Sequence, residues 1–125
     1  MPDHALSEAE LYIMRQFWAY GPMKTDELGR LVAARNWRPT TLLTFLSRLC
    51  QKGVLALEKQ GRGNLYRPLL QKGEYERREG RAFLDGLFEG SAANFLAAMV
   101  DANALDEAEL AELHRWLKEQ EGEDG

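Results

Sequence analysis

A chain of 125 residues with 45% hydrophobic and 29% charged side chains holds one ordinary domain or two small lobes, a size that suits a binding module better than an enzyme built round a central cleft. That composition excludes disorder, and no run nears the ~18 apolar residues of a membrane span. The formal charge of −4 is unevenly divided: residues 1–72 carry 11 Lys/Arg and 6 Asp/Glu, a net +5, whereas residues 73–125 carry 5 and 14, a net −9, as in a nucleic-acid-binding lobe joined to one that avoids the same polyanion.

Ser7 and Glu10 have the spacing of a capping box, and Leu6 and Leu11 bracket it as a hydrophobic staple, so a helix is predicted from Glu8 to just before Gly21-Pro22. Its apolar stripe of Leu11, Met14, Phe17 and Trp18 reads as core. A second helix is expected with Thr25 as N-cap, with Asp26 and Glu27 at the positive end of the dipole and with Leu28, Leu31 and Val32 buried. It stops near Asn36.

Pro39 suits the first turn of a third helix and Gly53 its C-terminal cap, which sets the span at about residues 39–52. At about 100° per residue, Thr40, Thr41, Thr44, Ser47 and Arg48 share one polar face, whereas Leu42, Leu43, Phe45, Leu46, Leu49 and Cys50 share an apolar one. The apolar face reads as core, with Cys50, the single cysteine, as a small buried hydrophobe that closes no internal disulfide. Residues 54–59, a Gly61-Arg62-Gly63-Asn64 turn and residues 65–67 read as a hairpin closed by Pro68. Three helices followed by a hairpin with a cationic tip is the order of a winged helix.

From Glu74 onward three further helices are predicted, roughly 74–89, 92–103 and 107–120. Gly90-Ser91 and Leu105-Asp106 separate them, and residues 120–125 read as a frayed acidic tail. Asp106 with Glu109, and Leu105 with Leu110, repeat the box and staple of the first helix. This stretch carries many large apolar groups: Tyr75, Phe83, Leu84, Leu87 and Phe88, then Phe95, Leu96, Met99 and Val100, then Leu110, Leu113, Trp116 and Leu117. So small a lobe rarely stabilises itself, and homodimerisation through those faces is expected, the competing reading being that they pack on their own chain. The fold class is therefore mainly α with a small β-hairpin: a winged helix-turn-helix over residues 1–72, then a three-helix dimerisation lobe over 73–125.

At Trp37-Arg38-Pro39-Thr40-Thr41, Leu46-Ser47-Arg48-Leu49, Lys52-Gly53 and Glu58-Lys59-Gln60-Gly61-Arg62, the chain resembles the penicillinase-repressor family, the BlaI/MecI transcriptional repressors. The Leu6 to Glu10 opening, the Arg78 to Leu87 stretch and the Leu105 to Leu110 pattern extend the resemblance from about Leu6 to Lys118. It implies a homodimeric repressor that binds a pseudo-palindromic operator and controls β-lactam-resistance or related stress genes. It also implies that Thr40, Thr41, Thr44 and Arg48 face the major groove and that Arg62 lies near phosphate.

Ser47, Asn64, Arg38, Lys24 and Arg67 are further candidate DNA contacts, the last two equally readable as solvated cations. Arg38 stands where the family commonly has Ser, and Thr40 and Leu43 where it often has Lys and Gln, so the operator is expected to differ from the family's usual half-site. In the best-known members a membrane-embedded metalloprotease sensor triggers cleavage at an Asn-Phe bond, which makes an inactivating protease a candidate partner. Asn94-Phe95 lies about one helical turn before the aligned pair, Ala98-Met99, and the cleavage site is not carried across. A copper-responsive branch uses a C-terminal cysteine cluster that this chain lacks.

Two other functions compete. One is a winged helix that mediates protein assembly through the acidic rear without touching DNA. The other is an enzyme, for which nothing gathers a nucleophile, base and oxyanion donor. His4 and His114 are far apart in sequence and lack metal-ligand spacing, so neither metal nor cofactor is expected. Residues 1–9 have no signal-like pattern, and the cytoplasm is the expected location.

Overall fold

The computed structural model describes residues 5–124. His4 lies outside them. In chain order the elements are α1 (Glu8–Tyr20), β1 (Met23–Lys24), α2 (Thr25–Leu31), a 3₁₀ turn (Ala33–Arg35), α3 (Pro39–Gln51), β2 (Leu55–Gln60), β3 (Gly63–Pro68), α4 (Lys72–Leu87), α5 (Ala92–Asp101) and α6 (Glu107–Asp124). The backbone divides into two compact units, one ending at Glu79 and the other beginning at Gly80, so the boundary falls inside α4. No helix of the described residues is long and apolar enough to cross a membrane.

In the first unit, α1 starts where its cap demands. Ser7 Oγ accepts from the Glu10 amide at 3.1 Å, and the Ser7 amide donates to Glu10 Oε1 at 2.8 Å, which satisfies two otherwise orphaned donors reciprocally. The helix stops at Gly21, whose φ of 84° only glycine adopts readily. Ile13, Met14 and Phe17 are its buried residues beside Glu10, while Leu11 and Trp18 pack partly buried at the edge of the core. The Trp18 indole N–H donates to the Leu70 carbonyl at 2.8 Å, so this ring serves as a hydrogen-bonded strut as well as an apolar surface.

The N-cap of α2 is Lys24, not Thr25, and Thr25 is the first helical residue. Lys24 is held there because Met23 and Lys24 form a short strand, and its amide donates to the Glu27 carboxylate at 3.1 Å. Leu28 and Val32 are buried, but Leu31, at the edge of the same side of this short helix, is exposed. The 3₁₀ turn then leads to Asn36 in the left-handed region, φ 56°, a conformation asparagine tolerates better than most residues.

Strand β1 was not foreseen from sequence. It pairs antiparallel with β3, Met23 opposite Tyr66 and Lys24 opposite Leu65, and makes a three-stranded sheet in the order β1-β3-β2. The hairpin turn is also tighter than the four residues expected. Gln60 pairs with Gly63, so the loop is Gly61-Arg62 alone, and Gly63 and Asn64 belong to β3. Gly61, at φ 57°, supplies the positive φ that the first position of such a two-residue turn requires. The core lies between the helices and this sheet, with Leu42, Leu46, Leu49, Val54, Leu55, Tyr66, Leu70 and Tyr75 joining the residues of α1 and α2.

In the second unit, α5 is capped by Ser91 Oγ, which accepts from the Asn94 amide at 3.0 Å, and α6 by Asp106 Oδ1, which accepts from the Glu109 amide at 2.8 Å. Helix α6 continues to Asp124 instead of fraying from residue 120. Its Glu, Gln and Lys residues are good helix formers, and no proline interrupts them. Phe83, Phe88 and Phe95 form a three-ring cluster with centroids 5.4–5.9 Å apart. Among the described residues, however, no side chain beyond Tyr75 is buried.

Candidate nucleic-acid interface

Helix α3 is seated by its flanks. Arg38 is its N-cap but makes no side-chain cap hydrogen bond, and Pro39 at the first position starts the helix by fixing φ. Immediately before it, the Trp37 ring lies 5.0 Å from Phe45 and 6.0 Å edge-on from Tyr12. The Arg35 guanidinium stacks 4.0 Å from the Tyr12 centroid and binds Glu8 through both nitrogens, Nη1 to Oε2 at 2.9 Å. The Glu8 carboxyl is held below its ordinary value chiefly by that hydrogen bond to Arg35. These contacts fix the turn that aims α3.

Leu42, Leu46 and Leu49 face the core, and Thr40, Thr44, Ser47, Arg48 and Gln51 are exposed, with Thr41 half-buried beside them. Leu43 does not belong to the core. It is 46% exposed, against 6% for Leu42, and stands on the same side as Ser47. Phe45 and Cys50 are only partly buried, at the margins of the apolar face, and burial pushes the Cys50 thiol up from its ordinary value. The Thr44 hydroxyl donates to the Thr40 carbonyl at 3.0 Å. Its proton is thus committed to the helix, and Thr44 offers the outside an acceptor oxygen and a methyl group.

Cations sort into two classes. Arg30 pairs with Asp26, Arg35 with Glu8, Lys52 with Glu10 and Arg67 with Glu58. By contrast Lys24, Arg38, Arg48, Lys59 and Arg62, which lie on α3, at its N-cap, in the sheet or at the turn of the wing, make no ion pair among the described residues, and neither do Arg15 on α1 and Lys72 at the start of α4. Arg67, a candidate phosphate contact from sequence, is instead clasped by Glu58 at 2.9 and 3.2 Å, and that hydrogen bond holds the Glu58 carboxyl below its ordinary value. The pair forms because Arg67 and Glu58 lie diagonally across the β2–β3 ladder.

Lys24 runs beside the wing. A Cβ placed on Gly63 would lie 3.4 Å from its Cδ and 3.6 Å from its Nζ. Arg62 is exposed at the turn, with Lys59 and Asn64 exposed and paired to one another just behind it. Lys59 and Gln51 were missed by sequence reasoning, although Gln51 falls at about 20° on the polar arc of α3 and was open to detection by the same helical angle.

The match to known proteins decides what such a surface belongs to. Residues 6–119 match the family model described as penicillinase repressor. The chain belongs to the penicillinase-repressor family. A curated member, the penicillinase repressor of Bacillus licheniformis, is 30% identical over 115 residues, which cover 91% of this chain and 90% of that one. Among solved structures, the DNA-binding domain of the repressor BlaI superposes with a TM-score of 0.51 at 35% identity, covering 56% of this chain and 87% of that domain. The Bacillus licheniformis BlaI monomer in complex with the blaP half-operator gives a TM-score of 0.50 at 33% identity, over 57% and 88%.

Within this penicillinase-repressor chain, the residues expected to associate lie in α4, α5 and α6. Leu84, Phe88, Phe95, Leu96, Met99 and Leu113 are half-buried, while Phe83, Leu87, Val100, Leu110, Trp116 and Leu117 are exposed. Asn94 occupies the first turn of α5, its side chain exposed, and Phe95 belongs to the aromatic cluster.

Proposed function

We propose that this protein is a DNA-binding transcriptional repressor that occupies a pseudo-palindromic operator as a homodimer, with no catalytic activity of its own. The observation that carries the reading is the outward face of α3, where Thr40, Thr44, Ser47 and Arg48 are exposed together and where Arg38 and Arg48, with Lys24, Lys59 and Arg62 of the wing, make no ion pair among the described residues. In this reading α3 enters the major groove and Arg38, Lys24, Lys59 and Arg62 hold phosphates on either side. Thr40, Thr41, Thr44, Ser47 and Arg48 read base edges, and Asn64 supports the wing. Residues 1–72 then form the DNA-binding part and 73–125 the dimerisation part.

The homodimer rests on a physical deficit. Leu87 is 64% and Trp116 55% exposed, and a lobe in which no described side chain after Tyr75 is buried lacks the core it needs to be stable by itself. A second copy supplies matching apolar faces through two-fold symmetry. The half-operator bound by the related BlaI monomer supports one reading helix per half-site. Control of β-lactam-resistance or related stress genes from the cytoplasm follows the family.

Sequencing the DNA retained by the purified protein, followed by binding to that duplex over a salt series, tests the reading. Each phosphate neutralised contributes about −0.9 to the slope of log affinity against log salt. A flat response leaves the alternative, a winged helix that assembles with proteins through its rear.

A further inference from the structure

We infer that Leu43 is a specificity-determining residue that reads the C5-methyl group of a thymine, an inference that rests on the proposed insertion of α3 into the major groove. Taking Thr40 as the origin, Leu43 falls at about −60°, Ser47 at about −20°, Thr44 at about 40° and Arg48 at about 80°. The core-facing Leu42, Leu46 and Leu49 centre near about 200°, so Leu43 is angularly closer to Ser47 than to any of them. Its exposure agrees, and it forms one edge of the exposed face while Arg48 forms the other.

An exposed leucine on this face forfeits burial in the free protein, and the groove offers one apolar group in return. The major groove of a base pair displays hydrogen-bond donors and acceptors and, at thymine alone, a methyl group. Leu43 has no polar atom with which to read any other base feature. Its neighbours Thr40, Thr44 and Ser47 are short, so the helix can approach closely enough for a four-carbon side chain to reach the groove floor. Arg48, on the opposite edge, carries the only charge on this stretch of the face, which divides recognition into an apolar and a cationic side.

The test is a cycle on the full chain, with the duplex it selects from a random pool. Each thymine is replaced singly by deoxyuridine, which removes the methyl group and keeps the base pairing. At one thymine per half-site the replacement is expected to weaken wild-type binding about three- to fivefold, the effect of one buried methyl, and to have no effect on Leu43→Ala. Leu43→Ala should keep the wild-type melting temperature. Binding that is indifferent to every deoxyuridine, or a methyl dependence that persists in Leu43→Ala, overturns the inference alone. Failure of the wild type to select any duplex overturns the proposed function as well.

Discussion

Lys52, the residue that caps α3, places its Nζ 2.6 Å from Oε1 of Glu10, the third residue of α1. The same carboxylate oxygen accepts from the Ser7 amide, and the ammonium also donates to the Ala5 carbonyl at 3.0 Å. The Glu10 side chain is only 4% exposed. One ion pair thus ties the start of the first helix to the end of the reading helix, and removing Lys52 leaves the buried Glu10 carboxylate without its counter-charge. Lys52→Ala is expected to destabilise the chain by about 2 kcal/mol, less than for a fully buried pair because Lys52 remains partly solvated. Urea denaturation of both proteins checks this, and a change below about 0.5 kcal/mol, the scale of ordinary surface substitutions, would refute it.

The same pair makes stability depend on acid. Burial pushes the Glu10 carboxyl up, but hydrogen bonds from Lys52 and from the Ser7 amide and hydroxyl outweigh it, so the carboxyl titrates below its ordinary 4.5. A depressed folded-state pKa contributes stability that is full above the unfolded value and is lost as pH falls through the folded one. The melting temperature should therefore drop as pH falls below about 4.5, and Glu10→Gln should flatten that drop. Parallel melts of the two proteins at pH 7 and pH 3 check the difference.

Arg48 is exposed and makes no ion pair among the described residues. Arg48→Ala should weaken operator binding by about tenfold, in the range of 1–3 kcal/mol for a bidentate base contact, while leaving the melting temperature within a degree or two. Unchanged affinity would mean that the face of α3 was misassigned.

The wing offers a contrast between two arginines. Arg62→Ala should reduce the salt slope by about 0.9 per bound subunit, one phosphate contact each. Arg67→Ala should leave the slope nearly unchanged, because that guanidinium is engaged by Glu58. Equal effects would show that the Glu58 pair opens on DNA.

Trp116→Glu should shift the protein toward monomer at micromolar concentration, since the ring is exposed in the single chain and a carboxylate cannot be buried unpaired in an interface. Sedimentation velocity reads the outcome. An unaltered dimer would place the interface away from that face of α6.

What the sequence makes legible here is whatever rests on local chemistry. The starts at Ser7, Ser91 and Asp106 are each marked by a side chain three residues from the amide it caps. The wing and its cationic tip follow from Gly61 and the alternation around it. Residues governed by tertiary geometry were less legible. Leu43 was assigned to the core because its type is apolar, although its angle lies nearer Ser47. Two-residue β1 is too short to show a period, and with it went the identity of the α2 cap. Arg67 was readable as free until the diagonal register brought Glu58 to it. Glu10 carried a helix-capping signal but none for its burial under Lys52.

The three-stranded pairing is confined to the middle of the hairpin. Strand β1 meets β3 only at Leu65 and Tyr66, so from Lys59 to Asn64 the wing is a two-stranded cantilever clamped at its root. Bending of the wing would be concentrated in those few residues, with Arg62 at the point of greatest travel. The reading helix, locked at both ends, has no such compliance. Variation in groove width from one operator to another would therefore be absorbed by the wing, while base recognition keeps a fixed register.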